Sequence, residues 1–271
     1  MGIEYNATLT RKEIVTGGLV ILGVRPDRRP YEFEPGQYTV LALKGSEPRV
    51  MESETEAEPP APEKLVKRAY SIASGSDENE LEFFVVLVST GALTPRLLAL
   101  EVGARLFVSP KAVGVFTLDS VPPDRDVVMV ATGTGLAPYI SMLRTKLTEE
   151  CGGGRCWAVL HGARHSWDLG YRSELSSFQK ICSNFFYMPS ITRTAKRDPW
   201  SGPVGRVNEF IADGRFETGW GRAIDSKKQH FFLCGNPGMV EETAKHLETR
   251  GFSEWNRRKN PDGTIHLERY W

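Results

Sequence analysis

The chain has 271 residues, 40% hydrophobic and 25% charged, a globular composition long enough for two ordinary domains. Its 34 Lys plus Arg balance 34 Asp plus Glu, so nothing in the bulk charge points to a nucleic-acid or membrane binder. No run approaches the roughly 18 apolar residues of a membrane span, and MGIEYNATLTRKEIVT lacks the apolar core of a signal peptide, so no membrane insertion and a cytoplasmic location are expected.

Up to about Asp119 the apolar runs are short and punctuated by turn residues: GLVILGVRP, GQYTVLALKG, RAYSIASG, LEFFVVLVSTG and ARLFVSPKAVG. Closely spaced strands with Gly and Pro between them predict a small antiparallel barrel or sandwich. One helix fits TPRLLALEVG, with Thr94 as its cap and Pro95 in its first turn. Residues 45–64, GSEPRVMESETEAEPPAPEK, are acidic, Pro-rich and almost without apolar side chains. Such a stretch buries little, so a mobile loop is expected. The strand pattern resumes directly after it, which makes it an excursion within the first domain rather than a linker.

From Asp126 the pattern changes. DVVMVATG, CWAVLHGAR, NFFYMPSITR and HFFLCGNPG are apolar runs, each closing on a turn of small or functional residues. Between them, Leu136, Tyr139, Ile140, Leu143 and Leu147 recur at helical spacing, as do Leu175 and Phe178. Buried strands alternating with helices predict an α/β doubly wound parallel sheet. The break falls near DSVPPDRD, giving domains 1–120 and 121–271.

In an open parallel sheet, ligands sit beyond the carboxyl ends of the strands. Thr132, Gly133, Thr134 and Gly135 lie there, and glycines let a backbone approach a phosphate at a helix N-terminus. The pattern G-x-G-x-x-P lacks the third glycine of the dinucleotide fingerprint, and alone it fits a structural turn equally well. Arg164 follows the second strand, where an NAD site carries an acid for the ribose hydroxyl; Arg193 follows the third, and Arg206 comes shortly after. Arginine forks match phosphate oxygens, so the set favours a 2′-phosphate, although solvated surface arginines or an Arg164–Asp168 ion pair would read the same way. In CGNPGMV, Asn236 is placed to cap a helix and Pro237 to fill its first position, which leaves Cys234 and Gly235 at the strand end. The sequence shows no base beside Cys234, so a contact role suits it better than a nucleophilic one. The four cysteines, Cys151, Cys156, Cys182 and Cys234, are too few for a disulfide scaffold, and although Cys151 and Cys156 have the spacing that opens a plant-type iron–sulfur motif, its C-x-x-C step is absent, so reduced thiols and no metal site are expected.

In KRAYSIAS, strand alternation sends Arg68 and Tyr70 one way and Ser71 the other. A charge, an aromatic plane and a hydroxyl within four residues suit a phosphate, a flat ring and a ring nitrogen; an exposed edge strand would look the same.

With RAYS, STGALTPRL, ATGTGLAPY, HGAR, ITR, GRV, CGNPGM and an aromatic C-terminus in this order, the chain resembles the ferredoxin–NADP⁺ reductase family, of the bacterial ferredoxin/flavodoxin reductase type. The resemblance spans nearly the whole chain. It implies an FAD-binding antiparallel β-barrel followed by an NADP-binding α/β domain. Arg68, with Ala69 beside it, would meet the FAD pyrophosphate, Tyr70 the flavin region, and Thr94 the FAD phosphates. Ser71 would hydrogen-bond near flavin N5. Arg164, Arg193 and Arg206 would surround the NADP 2′-phosphate above the Thr132–Gly135 and Cys234–Asn236 turns, with Cys234 near the nicotinamide. Tyr270 would stack on the isoalloxazine and Trp271 on the FAD adenine, unless the terminus plugs a domain interface instead. Tyr270 would then have to move aside for nicotinamide, which makes Ser71, Cys234 and Tyr270 the expected catalytic set.

The implied activity is electron transfer between NADPH and ferredoxin or flavodoxin, by a monomer. Acidic carriers would dock on a basic rim drawn from Arg25, Arg28, Arg29, Lys44 and Lys111. The alternatives are an NADH-dependent flavin reductase component serving an oxygenase or haem partner, and an FAD-containing electron-transfer subunit with little pyridine-nucleotide activity. The excursion at 45–64 is longer than the family's usual loop.

Overall fold

Six strands form the first half: β1 (Ala7–Thr16), β2 (Leu19–Pro26), β3 (Tyr38–Lys44), β4 (Leu65–Ser71), β5 (Leu81–Val86) and β6 (Arg105–Val108). The structure, a computed structural model, describes residues 4–196 and 198–269, so Tyr270 and Trp271 lie outside the described residues. The strands are antiparallel in the order β4-β3-β6-β1-β2-β5. Just past β4 the row's two ends meet, where Ala73 N donates to Glu82 O (2.8 Å) and Glu82 N to Ser74 Oγ (3.2 Å). β1 has no counterpart among the expected strands, because in ATLTRKEIVT only Ala7 and Leu9 are buried. Pairing with the apolar β2 makes it a strand. Leu9, Leu22, Leu41, Phe83 and Leu106 fill the core, and Leu97 and Leu98 of helix α1 (Thr94–Ala99) close it.

Two expectations about this half are corrected. Thr94 is not the cap of α1: Leu93 holds that position with helical torsions already. The Thr94 hydroxyl instead accepts from Val88 N (3.0 Å), tying the helix start to the chain that follows β5. The 45–64 excursion is anchored rather than loose. Its base is closed by Gly45 N to Lys64 O (2.9 Å) and Ser46 N to Pro62 O (3.0 Å). Its body is tied by Val50 N to Pro95 O (3.1 Å) and Glu54 N to Ser89 O (3.0 Å). Apolar content understated it because backbone bonds and charges hold it, not greasy burial.

In the second half β7 (Asp126–Thr132), β8 (Trp157–Ala163), β9 (Phe185–Ile191), β10 (Gln229–Gly235) and β11 (Ile265–Arg269) form a parallel sheet in the order β11-β10-β7-β8-β9. A 3₁₀ turn, Gly133–Leu136, opens helix α2 (Ala137–Met142), which runs on through a π-helical turn, Leu143–Leu147, into the short α3 (Thr148–Glu150). Leu136, Tyr139, Ile140, Leu143 and Leu147 are all fully buried, as their spacing requires. The remaining helices are α4 (Arg172–Ile181), α5 (Val207–Ala212), α6 (Arg215–Trp220) and α7 (Pro237–Thr249). The chain divides into two compact units, Met1–Thr117 with Ala137–Thr145, and Leu118–Leu136 with Lys146–Trp271. Among the described residues no helix is long and apolar enough to cross a membrane.

The cysteine expectation also fails for one pair. Cys151 and Cys182, 31 residues apart, are joined by a disulfide with Cα atoms 4.9 Å apart, while Cys156 and Cys234 are free. Asn184 explains the approach. Its side chain donates to the carbonyls of Glu150 (2.8 Å), Gly153 (2.8 Å) and Arg155 (3.0 Å) and accepts from Gly152 N (2.8 Å). That grip holds the Cys151 turn against the end of α4, a proximity that spacing along the chain does not reveal.

Candidate functional sites

The sheet order places a topological switch between β7 and β10, where the connections leave in opposite directions and open a crevice at the strand ends. The chain there is built for close backbone approach. A Cβ on Gly135 would stand 2.4 Å from Cys234 O, and one on Gly235 (φ +130°) 2.4 Å from Thr132 Oγ1. Thr132 Oγ1 accepts from Asn236 N (2.8 Å), so the turns Thr132–Gly135 and Cys234–Asn236 are bonded to each other. Thr132, Gly133 and Thr134 remain partly open to solvent. Asn236 Oδ1 accepts from Met239 N (3.3 Å) and Pro237 starts α7, as the sequence predicts.

Cys234 is buried, and its Sγ lies 3.7 Å from Glu268 Oε2. The sequence shows no base beside this thiol; β11 supplies a carboxylate, because its register on β10 sets Glu268 opposite Cys234. Missing β11 meant missing Glu268.

Next along the crevice stand the arginines. Arg193 N donates to Arg164 O (2.8 Å), which puts these two residues side by side beyond β8 and β9. Gly205 N donates to Ile191 O (2.9 Å) and so brings Arg206, at the start of α5, to the end of β9. All three are exposed, and among the described residues none of their guanidinium groups has a side-chain partner. Asp168 is not paired with Arg164; it accepts from His165 N (3.2 Å) and shapes the turn. Trp167, half exposed and stacked on His165 at 4.6 Å, was not singled out by the sequence. Uncommitted cations beside glycine turns form a donor set for a phosphorylated nucleotide.

The first unit holds the other candidate. β4 ends the strand order, so the edge-strand reading and the binding reading apply to the same residues. Lys67, Arg68 and Ala69 are exposed, Tyr70 is partly buried and Ser71 is buried. Tyr70 meets Phe83 edge-on at 6.5 Å, and burial pushes its phenol well above the ordinary range. Among the described residues Arg68 bonds only its neighbour's carbonyl, Lys67 O (2.7 Å), which leaves its charge available for an anion. Of the expected basic rim, Arg25 is paired with Glu80 (2.7 Å) and Lys44 with Glu63 (2.7 Å). Arg28, Arg29 and Lys111 stay exposed without a side-chain partner among the described residues.

An antiparallel strand array with a cationic edge, followed by a parallel sheet with a glycine-lined switch point, is a two-unit architecture whose second unit carries a crevice of the nucleotide-binding kind. The comparisons narrow that class. The model of the oxidoreductase NAD-binding domain family matches residues 129–245. The flavodoxin/ferredoxin–NADP reductase of Escherichia coli (strain K12) is 33% identical over 240 residues, covering 88% of this chain and 88% of that one. The enzyme of the same name from Buchnera aphidicola subsp. Baizongia pistaciae is 32% identical over 209 residues, covering 77% of this chain and 82% of that one. Among solved structures, a ferredoxin NADP⁺ reductase from Neisseria gonorrhoeae with bound FAD and NADP shares the fold, with a TM-score of 0.79, 24% identity and 97% of each chain covered. The chain belongs to the flavodoxin/ferredoxin–NADP reductase family.

Proposed function

We propose that the protein binds FAD on its first unit and NADP(H) on its second, and moves electrons between NADPH and ferredoxin or flavodoxin. The carrying observation is the set of exposed arginines, Arg164, Arg193 and Arg206, brought together beyond the ends of β8 and β9 in the sheet whose β7 and β10 end in the glycine turns. FAD, when bound, supplies the chemistry that accepts hydride at N5 and hands electrons on singly.

The chain's own residues bind and orient. The Arg68 guanidinium and the backbone at Ala69 hold the diphosphate, and Tyr70 packs against the flat ring. Ser71 offers its hydroxyl near N5. Thr94, bonded to Val88, shapes the turn beside the phosphates. The arginines hold the 2′-phosphate, with the Thr132–Gly135 and Gly235–Asn236 backbones against the nucleotide's diphosphate. Cys234, its thiol against Glu268, sits at the strand end as a contact for nicotinamide. No proton relay is needed, because orientation and water exclusion are the protein's contribution.

The test is anaerobic reduction of FAD-reconstituted protein by NADPH and by NADH. Replacing Arg164 and Arg193 singly by Ala should raise the KM for NADPH about ten-fold each, the loss of one charge-assisted contact, and leave NADH kinetics alone. Wild-type protein that is bleached equally well by NADH overturns the arginine assignment.

A further inference from the structure

The excursion from Gly45 to Lys64 is larger than the family resemblance requires, yet it is built into the fold. A groove of about 590 Å³ lies along it, lined by Glu58, Pro59 and Pro60 of the excursion, by Lys64 and Arg68, and by Ala92. The groove thus borders the two segments of the first unit that the sequence singles out, the RAYS strand and the GALT turn, and the excursion lines part of it. We propose that the excursion forms one wall of the site for the adenosine diphosphate end of FAD. This rests on the FAD reading above and adds to it a wall that belongs to this chain.

Three features support the assignment. The first is charge. Lys64 and Arg68 bring two cations to the floor, matching a diphosphate, while a carboxylate such as Glu58 at the wall suits ribose hydroxyls. Among the described residues neither Lys64 nor Glu58 has a side-chain partner. The second is shape. Pro59 and Pro60 carry no backbone N–H and present apolar ring faces, against which a flat base packs without stranding a donor.

The third is that the wall is held from behind. Glu56 accepts both arms of Arg96, at 2.7 and 2.8 Å, and also meets Arg49 at 2.9 Å. Arg96, only 2% exposed, further donates to Ala92 O (2.6 Å) and Gly45 O (2.8 Å). Arg49 donates to Gly91 O (2.9 Å). One carboxylate therefore ties the excursion to the residues on the far side of the groove. Gly45 lets the returning chain close over its base, since a Cβ there would stand 2.5 Å from Ala61 O. A loop this firmly registered across a groove holds its walls at a fixed separation, which is what tight binding of one ligand requires.

The experiment separates the ADP end from the flavin end by using flavin mononucleotide, which lacks the adenosine monophosphate. Apoprotein is titrated with FAD, with FMN and with ADP. In one variant residues 58–61 become Gly-Ser-Gly-Ser, leaving Glu56 in place; in a second, Lys64→Glu reverses one charge on the floor. Wild-type apoprotein should bind ADP in competition with FAD. Both variants should weaken FAD about ten-fold or more while FMN changes less than about two-fold. Unchanged FAD affinity in both variants overturns the proposal, and so does equal weakening of FAD and FMN, which reports only a disturbed fold. Apoprotein that binds no flavin at all refutes the proposed function itself; normal FAD binding that ignores the excursion refutes only this inference.

Discussion

Glu56→Ala is the perturbation with the clearest expected size. The substitution removes two short charge-assisted bonds to Arg96 and one contact to Arg49. Breaking one side of a buried ion pair costs about 3–5 kcal/mol, most of it from the charge left unpaired. Arg96 keeps two backbone acceptors, Ala92 O and Gly45 O, and Arg49 is partly exposed, so we expect the lower end, about 3 kcal/mol. The loss should appear locally. Hydrogen exchange at the amides of Val50 and Glu54, bonded to Pro95 O and Ser89 O, should accelerate by about 100-fold at pH 7, because about 1.4 kcal/mol corresponds to ten-fold. Removing both partners as Glu56→Met with Arg96→Met should recover much of the loss, since an apolar pair strands no charge. The effect also has a pH signature. Arg96 beside it holds the Glu56 carboxyl below its ordinary 4.5, so this stability is present above that value and is lost as pH falls through the lower folded value. Acceleration of less than about three-fold in Glu56→Ala would refute the claim that the carboxylate anchors the excursion.

Two other predictions rest on buried groups in the second unit. Burial holds His161 at about 3, His230 at about 4 and His266 at about 3, against an ordinary 6.5, so all three fold as neutral imidazoles. Their stability is complete above pH 6.5 and is lost as pH falls toward the folded values; His161 alone accounts for about 2 kcal/mol at pH 5. The urea midpoint should drop between pH 7 and pH 5, less so in His161→Gln, and an unchanged wild-type midpoint contradicts the burial argument. Thiol titration of protein denatured without reductant should count two thiols, Cys156 and Cys234, and four after reduction. Four without reduction removes the Cys151–Cys182 bridge.

Much of the architecture is visible in local pattern. The change from short punctuated runs to long apolar runs followed by helical spacing is a matter of period and turn chemistry, and those act within a dozen residues. The same locality explains why the cap at Asn236 and the helix start at Pro237 are legible in CGNPGMV. Thr94 shows where this reasoning weakens: a Thr before Pro reads as a cap, but Leu93 already had helical torsions and the hydroxyl found Val88 instead. β1 and β11 escaped notice because their sequences alternate weakly, and each is a strand only by virtue of the apolar neighbour it pairs with, β2 or β10.

The sequence by itself determined the class of each half, the glycine turns and which arginines stand after which strand. Those properties follow from covalent spacing and from the two side-chain periodicities of the backbone. Only the tertiary structure decided which distant groups meet: Glu268 with Cys234, Cys151 with Cys182, and Glu56 with Arg96. Each of these pairs depends on how strands and turns far apart in the chain are brought into register, and no local pattern encodes that return. The excursion at 45–64 shows the difference most sharply. Its composition describes a solvated loop, whereas one carboxylate meeting two arginines makes it part of the fold.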